Sequence, residues 1–169
     1  FIRADAGLLV EGARVSGHAS VFGVADRGGD VVLPGAYAAS LRRMAAEGRR
    51  VKMLWQHDPA EPIGVWDEVA EDGRGLRVAG RLLTELARGR EAAALLAAGA
   101  IDGLSIGYRT LRAERDGKGR RLLAEIDLWE VSLVTFPMLP EARVAAKGEG
   151  ALHEMAAALR AARAGLVAR

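Results

Sequence analysis

Residues 103–136, GLSIGYRTLRAERDGKGRRLLAEIDLWEVSLVTF, hold two long runs, Leu104 to Arg115 and Arg120 to Phe136, around Asp116-Gly117-Lys118-Gly119. β-branched, aromatic and leucine residues on either side of a glycine-rich polar quartet predict a long antiparallel hairpin. The first five residues, Gly103-Leu104-Ser105-Ile106-Gly107, match the G-x-S-x-G pattern of the α/β-hydrolase nucleophile elbow. Ser105, then Asp127 or Glu130, then His153 even follow that fold's chain order. The elbow needs a strand, a sharp turn and a helix. Here Ser105 runs on into Ile106-Gly107-Tyr108-Arg109-Thr110-Leu111, a strand leading into the hairpin, and a parallel βαβ framework is missing. The hydrolase reading is therefore rejected.

Outward from the hairpin, the pattern stays strand-like. Glu71-Asp72-Gly73-Arg74-Gly75 is a turn between apolar runs at Ile63 to Val69 and Leu76 to Leu83, and Val51 to His57 reads as a further strand. Leu8 to Val24 predicts one or two strands bent at glycines, and Asp26 to Asp30 predicts a turn-rich loop. A helix is expected from Pro34, with Tyr37, Leu41 and Met44 on one face and a stop near Gly48. A second is expected over Glu85 to Ala98, capped by Thr84 and ended by Gly99. Lys147 to Gly150 reads as a joint before a terminal helix. There Leu152, Met155, Leu159, Ala162 and Leu166 form a seam that would dock on its own body or meet a second copy. This divides the chain into a body, 1–146, and a terminal helix, 147–169. About seven strands and three helices, mostly strand after strand, predict a mainly β (α+β) fold: an antiparallel barrel or sandwich with appended helices.

Composition narrows the function. A chain of 169 residues, half of them hydrophobic, fits one domain with an ordinary core. With 24 basic and 22 acidic residues the net charge is +2, and arginines are interleaved with acids. That balance predicts no nucleic-acid partner. The absence of cysteine excludes thiol catalysis and zinc-thiolate sites. No run approaches the about 20 apolar residues of a membrane span, and the opening Phe1-Ile2-Arg3 does not read as a signal peptide, so no membrane association and a cytoplasmic setting are expected. No cofactor or metal is expected.

The chemistry must come from few residues. Only His18, His57 and His153 are present. His18 lies within a strand-like stretch and reads as structural; His153 falls in the terminal helix and reads as solvated. His57 ends the apolar run Met53-Leu54-Trp55-Gln56-His57 just before Asp58-Pro59, at a strand end where catalytic bases often sit. Among the serines Ser105 has the suggestive frame, with small neighbours that let a substrate backbone approach. A carboxylate for the pair would come from the returning strand, Asp127 or Glu130. On a regular strand these two face opposite sides, so only one can point at a site shared with Ser105, and Glu130 is favoured.

At these residues the chain resembles the prohead serine proteases of tailed bacteriophages, a caudovirus family related to the herpesvirus assemblins, with similar elements in phage-derived gene transfer agents. The resemblance runs from about Gly17 to Val144. It is carried by GHASVFG at 17–23, GDVVLPGAY at 29–37, LWQHDP at 54–59, IGVW at 63–66, GLSIGY at 103–108 and EVSLVTFP at 130–137. It implies an assemblin-like barrel with helices around it. In it His57 is the general base, Ser105 the nucleophile, and Glu130 stands where assemblins use a second histidine. The counterpart of the assemblin oxyanion loop would lie in Pro137 to Arg143, without its arginine pair. The implied substrates are the scaffolding segment of the major capsid protein and the protease itself, cut inside the assembling prohead in the bacterial cytoplasm by a homodimer or higher homo-oligomer. A catalytically silent capsid-assembly module of the same fold is the alternative.

Overall fold

The computed structural model describes residues 14–144. The predicted terminal helix, its joint and His153 lie outside the described residues, as do 1–13. The chain forms β1 (Arg14–Val21), β2 (Asp30–Val32), α1 (Ala38–Ala46), β3 (Lys52–Trp55), β4 (Asp58–Glu71), β5 (Gly75–Leu82), α2 (Ala87–Ala97), β6 (Gly103–Arg115) and β7 (Arg121–Val134).

One sheet holds all seven strands, in the order β1-β5-β4-β3-β7-β2, with β6 on the other edge of β7. The predicted hairpins are present as β4–β5 and β6–β7. The expectation of an antiparallel barrel surrounded by helices needs correction: the sheet is mixed. β2 and β3 both run parallel to β7, pairing with Arg121–Leu123 and Glu130–Leu133 respectively. The cause is that β2, α1 and β3 follow one another along a single edge of β7, in the direction in which β7 itself runs. Between the two parallel pairings the edge of β7 is open, and the α1 region fills it: Ile126 N–H donates to Ala36 O, and Leu128 N–H to Ser40 Oγ. The sheet curls, and its ends are stitched by the segment after β7, through bridges Gly17–Val144 and Gly103–Arg143 and the Leu104 N–H to Ala142 O bond.

Alternation decides which side chains enter the curl. Val78 and Leu76 of β5, Leu104 of β6 and Leu128, Val131 and Leu133 of β7 are essentially inaccessible. Each such side chain contributes about 1.5–3 kcal/mol on burial. Trp66 joins them with its indole N–H satisfied by Val131 O at 3.1 Å. Both described helices begin later than the sequence pattern predicts. Leu33 to Tyr37 form turns before Ala38, and Thr84 does not cap α2: the position before Ala87 is Leu86, and no side chain caps it. Gly99 takes the expected left-handed conformation, φ 69°. Among the described residues no helix is long and apolar enough to cross a membrane.

Candidate active site

β3 and β4 are joined by two residues only. Trp55 pairs with Asp58, and Gln56 and His57 between them have φ of 52° and 64°. Two consecutive left-handed residues make a type I′ hairpin turn, normally the place of Asn-Gly. Each non-glycine residue held there costs about 1 kcal/mol or more. His57 is therefore not the last residue of a strand, as the sequence pattern predicts; the chain reverses at it, and Asp58-Pro59 already begins β4. Bonds hold the turn in place. Gln56 N–H donates to Leu133 O at 2.9 Å, and His57 N–H to Ser132 Oγ at 3.2 Å. The Gln56 side-chain amide donates to Thr135 Oγ1 at 2.7 Å and accepts from Thr135 N–H at 3.2 Å.

The turn carries the half-exposed His57 ring to Glu130. His57 Nδ1 lies 2.6 Å from Glu130 Oε1. A carboxylate can only accept, so Nδ1 carries a proton, and in the neutral ring Nε2 keeps its lone pair. The hydrogen bond that His57 donates to the buried Glu130 carboxylate, aided by the carboxylate's charge, raises the His57 pKa above 6.5 against the opposing effect of burial. The other carboxylate oxygen accepts from Ser132 Oγ at 2.5 Å.

Ser105 stands on β6 opposite Ser132, and Gly107 opposite Glu130. Directly opposed residues share a face, so Ser105, Gly107, Glu130 and Ser132 lie on one side of the sheet. Gly107 leaves the space that Glu130 occupies: a Cβ there would fall 2.0 Å from Glu130 Oε1. Ser105 is buried, and among the described residues its hydroxyl makes no hydrogen bond to His57. Thus His57 and Glu130 are joined directly, while Ser105 shares their face without a bond to either.

Asp127 and Glu130 do not face opposite sides, as a regular strand would place them. The β6–β7 register slips between Gly107, paired with Glu130, and Tyr108, paired with Leu128, leaving Trp129 as a bulge. Asp127 pairs with Arg109, two residues from Gly107, so Asp127 and Glu130 share a face after all. Proximity separates them instead. Asp127 is engaged by the Trp129 indole N–H at 3.1 Å and by the guanidinium of Arg43, which hold its carboxyl below the ordinary carboxylate range. His18 is bound to Asp72 at 2.8 Å, near the β4–β5 turn. The residue sequence reasoning missed is Ser132. Its alternation with Glu130, two positions apart on one strand, was the available signal.

On the seam between β1 and β6 a cavity of about 180 Å³ opens against Ser105, with Ala19 to Val21, Ile106, Met138 and Leu139 in its wall. His57 and Glu130 do not line it, so Ser105 borders both the cavity and the face that carries the pair. No cluster of three or more metal-ligating side chains converges among the described residues.

Comparison with known proteins bears on this arrangement. The family model for caudovirus prohead serine proteases matches residues 3–156. The chain belongs to that family. The prohead protease of Enterobacteria phage HK97 is 35% identical over 133 residues, which are 77% of this chain and 58% of that protein. The chain thus spans under two thirds of that relative's length. Among solved structures, the capsid assembly protease of bacteriophage T4 superposes with a TM-score of 0.60 at 16% identity, over 72% of this chain and 80% of that one. The varicella-zoster virus protease gives a TM-score of 0.47 at 15% identity, over 78% of this chain and 62% of that one. The T4 likeness supports the curled, mostly β architecture.

Proposed function

We propose that the chain is the catalytic part of a serine endopeptidase of capsid maturation, with Ser105 as nucleophile, His57 as general base and Glu130 as the third member. The observation that carries this reading is the His57 Nδ1–Glu130 Oε1 hydrogen bond on the face of the sheet that Ser105 shares. With Nδ1–H spent on Glu130, the Nε2 lone pair accepts the Ser105 proton as Oγ attacks the scissile carbonyl carbon. Glu130 balances the imidazolium charge. His57 then returns the proton to the leaving amine, and the acyl-enzyme is cleared by a water deprotonated at the same nitrogen. A bound peptide closes the remaining distance between Ser105 and His57, since catalytic hydrogen bonds commonly tighten only around substrate. The cavity beside Ser105 receives a substrate side chain adjoining the scissile bond.

The proposed substrates are the scaffolding segment of the major capsid protein and the protease chain itself, cut within the assembling prohead in the bacterial cytoplasm. The unmade Ser105–His57 bond also suits a second reading, a silent assembly module that keeps the fold and binds capsid protein. One incubation separates the two. Mixed with the cognate capsid precursor, the chain shortens it at sites readable by mass spectrometry, and Ser105→Ala leaves it whole. A precursor left at full length by both proteins favours the silent module, and cleavage that survives Ser105→Ala rejects Ser105 as nucleophile.

A further inference from the structure

Of the five serines in the chain, Ser132 is the one wedged between both halves of the His57–Glu130 pair. It is wholly buried, and a buried hydroxyl is costly unless bonded. It makes two bonds, and their directions are fixed by their partners. The His57 backbone N–H can only donate, so Ser132 Oγ accepts from it, at 3.2 Å. The Glu130 carboxylate can only accept, so the single Ser132 hydroxyl proton goes to Oε2, at 2.5 Å. That leaves Oε1 turned to Nδ1. Ser132 is also the register partner of Leu54 on β3 and of Ser105 on β6, so it sits between the strand leading into the histidine turn and the strand of the nucleophile.

We propose that Ser132 is a positioning residue that fixes the Nδ1–H tautomer of His57, by anchoring the Glu130 carboxylate through one bond and the left-handed backbone of His57 through the other. This rests on the reading of His57 as general base. Without the hydroxyl, Glu130 Oε2 and His57 N–H lose their shared partner, the carboxylate turns away from Nδ1, and the neutral ring drifts toward the tautomer protonated at Nε2. In that form it cannot accept the Ser105 proton.

The test has a spectroscopic readout that needs no substrate. In long-range ¹⁵N–¹H spectra of the chain above the His57 titration, the neutral ring is held as the Nδ1–H form. Ser132→Ala shifts it to a mixture with the Nε2–H form, and Ser132→Thr, which keeps a hydroxyl, restores it. The rate of covalent capture of Ser105 by a fluorophosphonate, in which Oγ bonds to phosphorus and fluoride leaves, falls about 10- to 100-fold in Ser132→Ala, the scale of a small misplacement of catalytic groups. In a Glu130→Gln background the same substitution has little further effect, because Ser132 acts through Glu130. A folded Ser132→Ala chain with an unshifted tautomer overturns the proposal, as does a full additive loss in the double variant. Should Ser132→Ala not fold, the wild-type chain decides: a Ser132 hydroxyl proton in slow exchange with solvent supports the bond to Glu130, and fast exchange rejects it. If a tautomer shift is seen but capture falls elsewhere than Ser105, the fault lies with the proposed nucleophile and not with Ser132.

Discussion

Glu130 touches two groups and has room for nothing else, and each constraint makes a distinct prediction. As the main cause of the raised His57 pKa, it would set the acid limb of activity under the proposed mechanism. The reactive form is neutral, so rate rises with pH through a midpoint above 6.5. Glu130→Gln should move that midpoint down toward 6.5 and lower the plateau, by less than the about 10²–10⁴-fold expected of His57→Ala. A pH–rate profile of each variant checks it, and an unmoved midpoint would remove Glu130 from the triad. Stability runs the other way. A histidine whose folded pKa is raised contributes stability that is full below pH 6.5 and lost as pH rises through the folded pKa, so the working range lies where that contribution is fading. At Gly107, a methyl group would land on a carboxylate oxygen already held by His57. Gly107→Ala should therefore cut the rate about 10- to 100-fold by displacing Glu130. The thermal midpoint should fall as well, because the clash reaches Glu130 Cγ and Cδ and displacing the buried carboxylate breaks its bonds to His57 and Ser132.

At the scale of elements, the Gln56–His57 turn holds the proposed base, and it does so in a strained conformation maintained by its neighbours. Thr135→Val removes the acceptor of the Gln56 amide and should cost about 1 kcal/mol in urea unfolding. Gln56→Gly should be nearly neutral, since relief of the left-handed φ of about 1 kcal/mol offsets the lost amide bonds. A large gain on Gln56→Gly would mean the side-chain bonds contribute nothing. The turn was illegible in the sequence because type I′ turns are signalled by Asn-Gly or Asp-Gly, and Gln-His gives no such cue, whereas Asp58-Pro59 looks like a break. The Trp129 bulge was hidden for a similar reason, as one exposed tryptophan in an apolar strand resembles any other outward position. The two long hairpins were legible because glycine-rich quartets and quintets separate runs long enough to show strand composition. β2 was not, at three residues.

For the whole molecule, missing β2 is what hid the mixed sheet: without it, α1 looks like an appended helix instead of the link that carries the chain from β2 to β3 along one edge of β7. His57, Ser105 and Glu130 could each be singled out in the sequence as candidates, but the approach of Glu130 to His57 on the face that Ser105 shares depends on register and a bulge that no single run of residues encodes. The seam after β7 ties the ends of the sheet and also walls the cavity beside Ser105. Leu139 serves both, being buried in the core and exposed to the cavity. Leu139→Ala should cost about 2–3 kcal/mol in denaturant unfolding. It should also speed hydrogen exchange at the Leu104 amide, whose acceptor is Ala142 O. The central claim, that His57 activates Ser105, is tested most directly by treating the chain with a fluorophosphonate and locating the adduct by mass spectrometry. A single adduct on Ser105, absent in Ser105→Ala and formed about 10²–10⁴-fold more slowly in His57→Ala, is the predicted result. An adduct on another residue, or capture at an unchanged rate without His57, would contradict it.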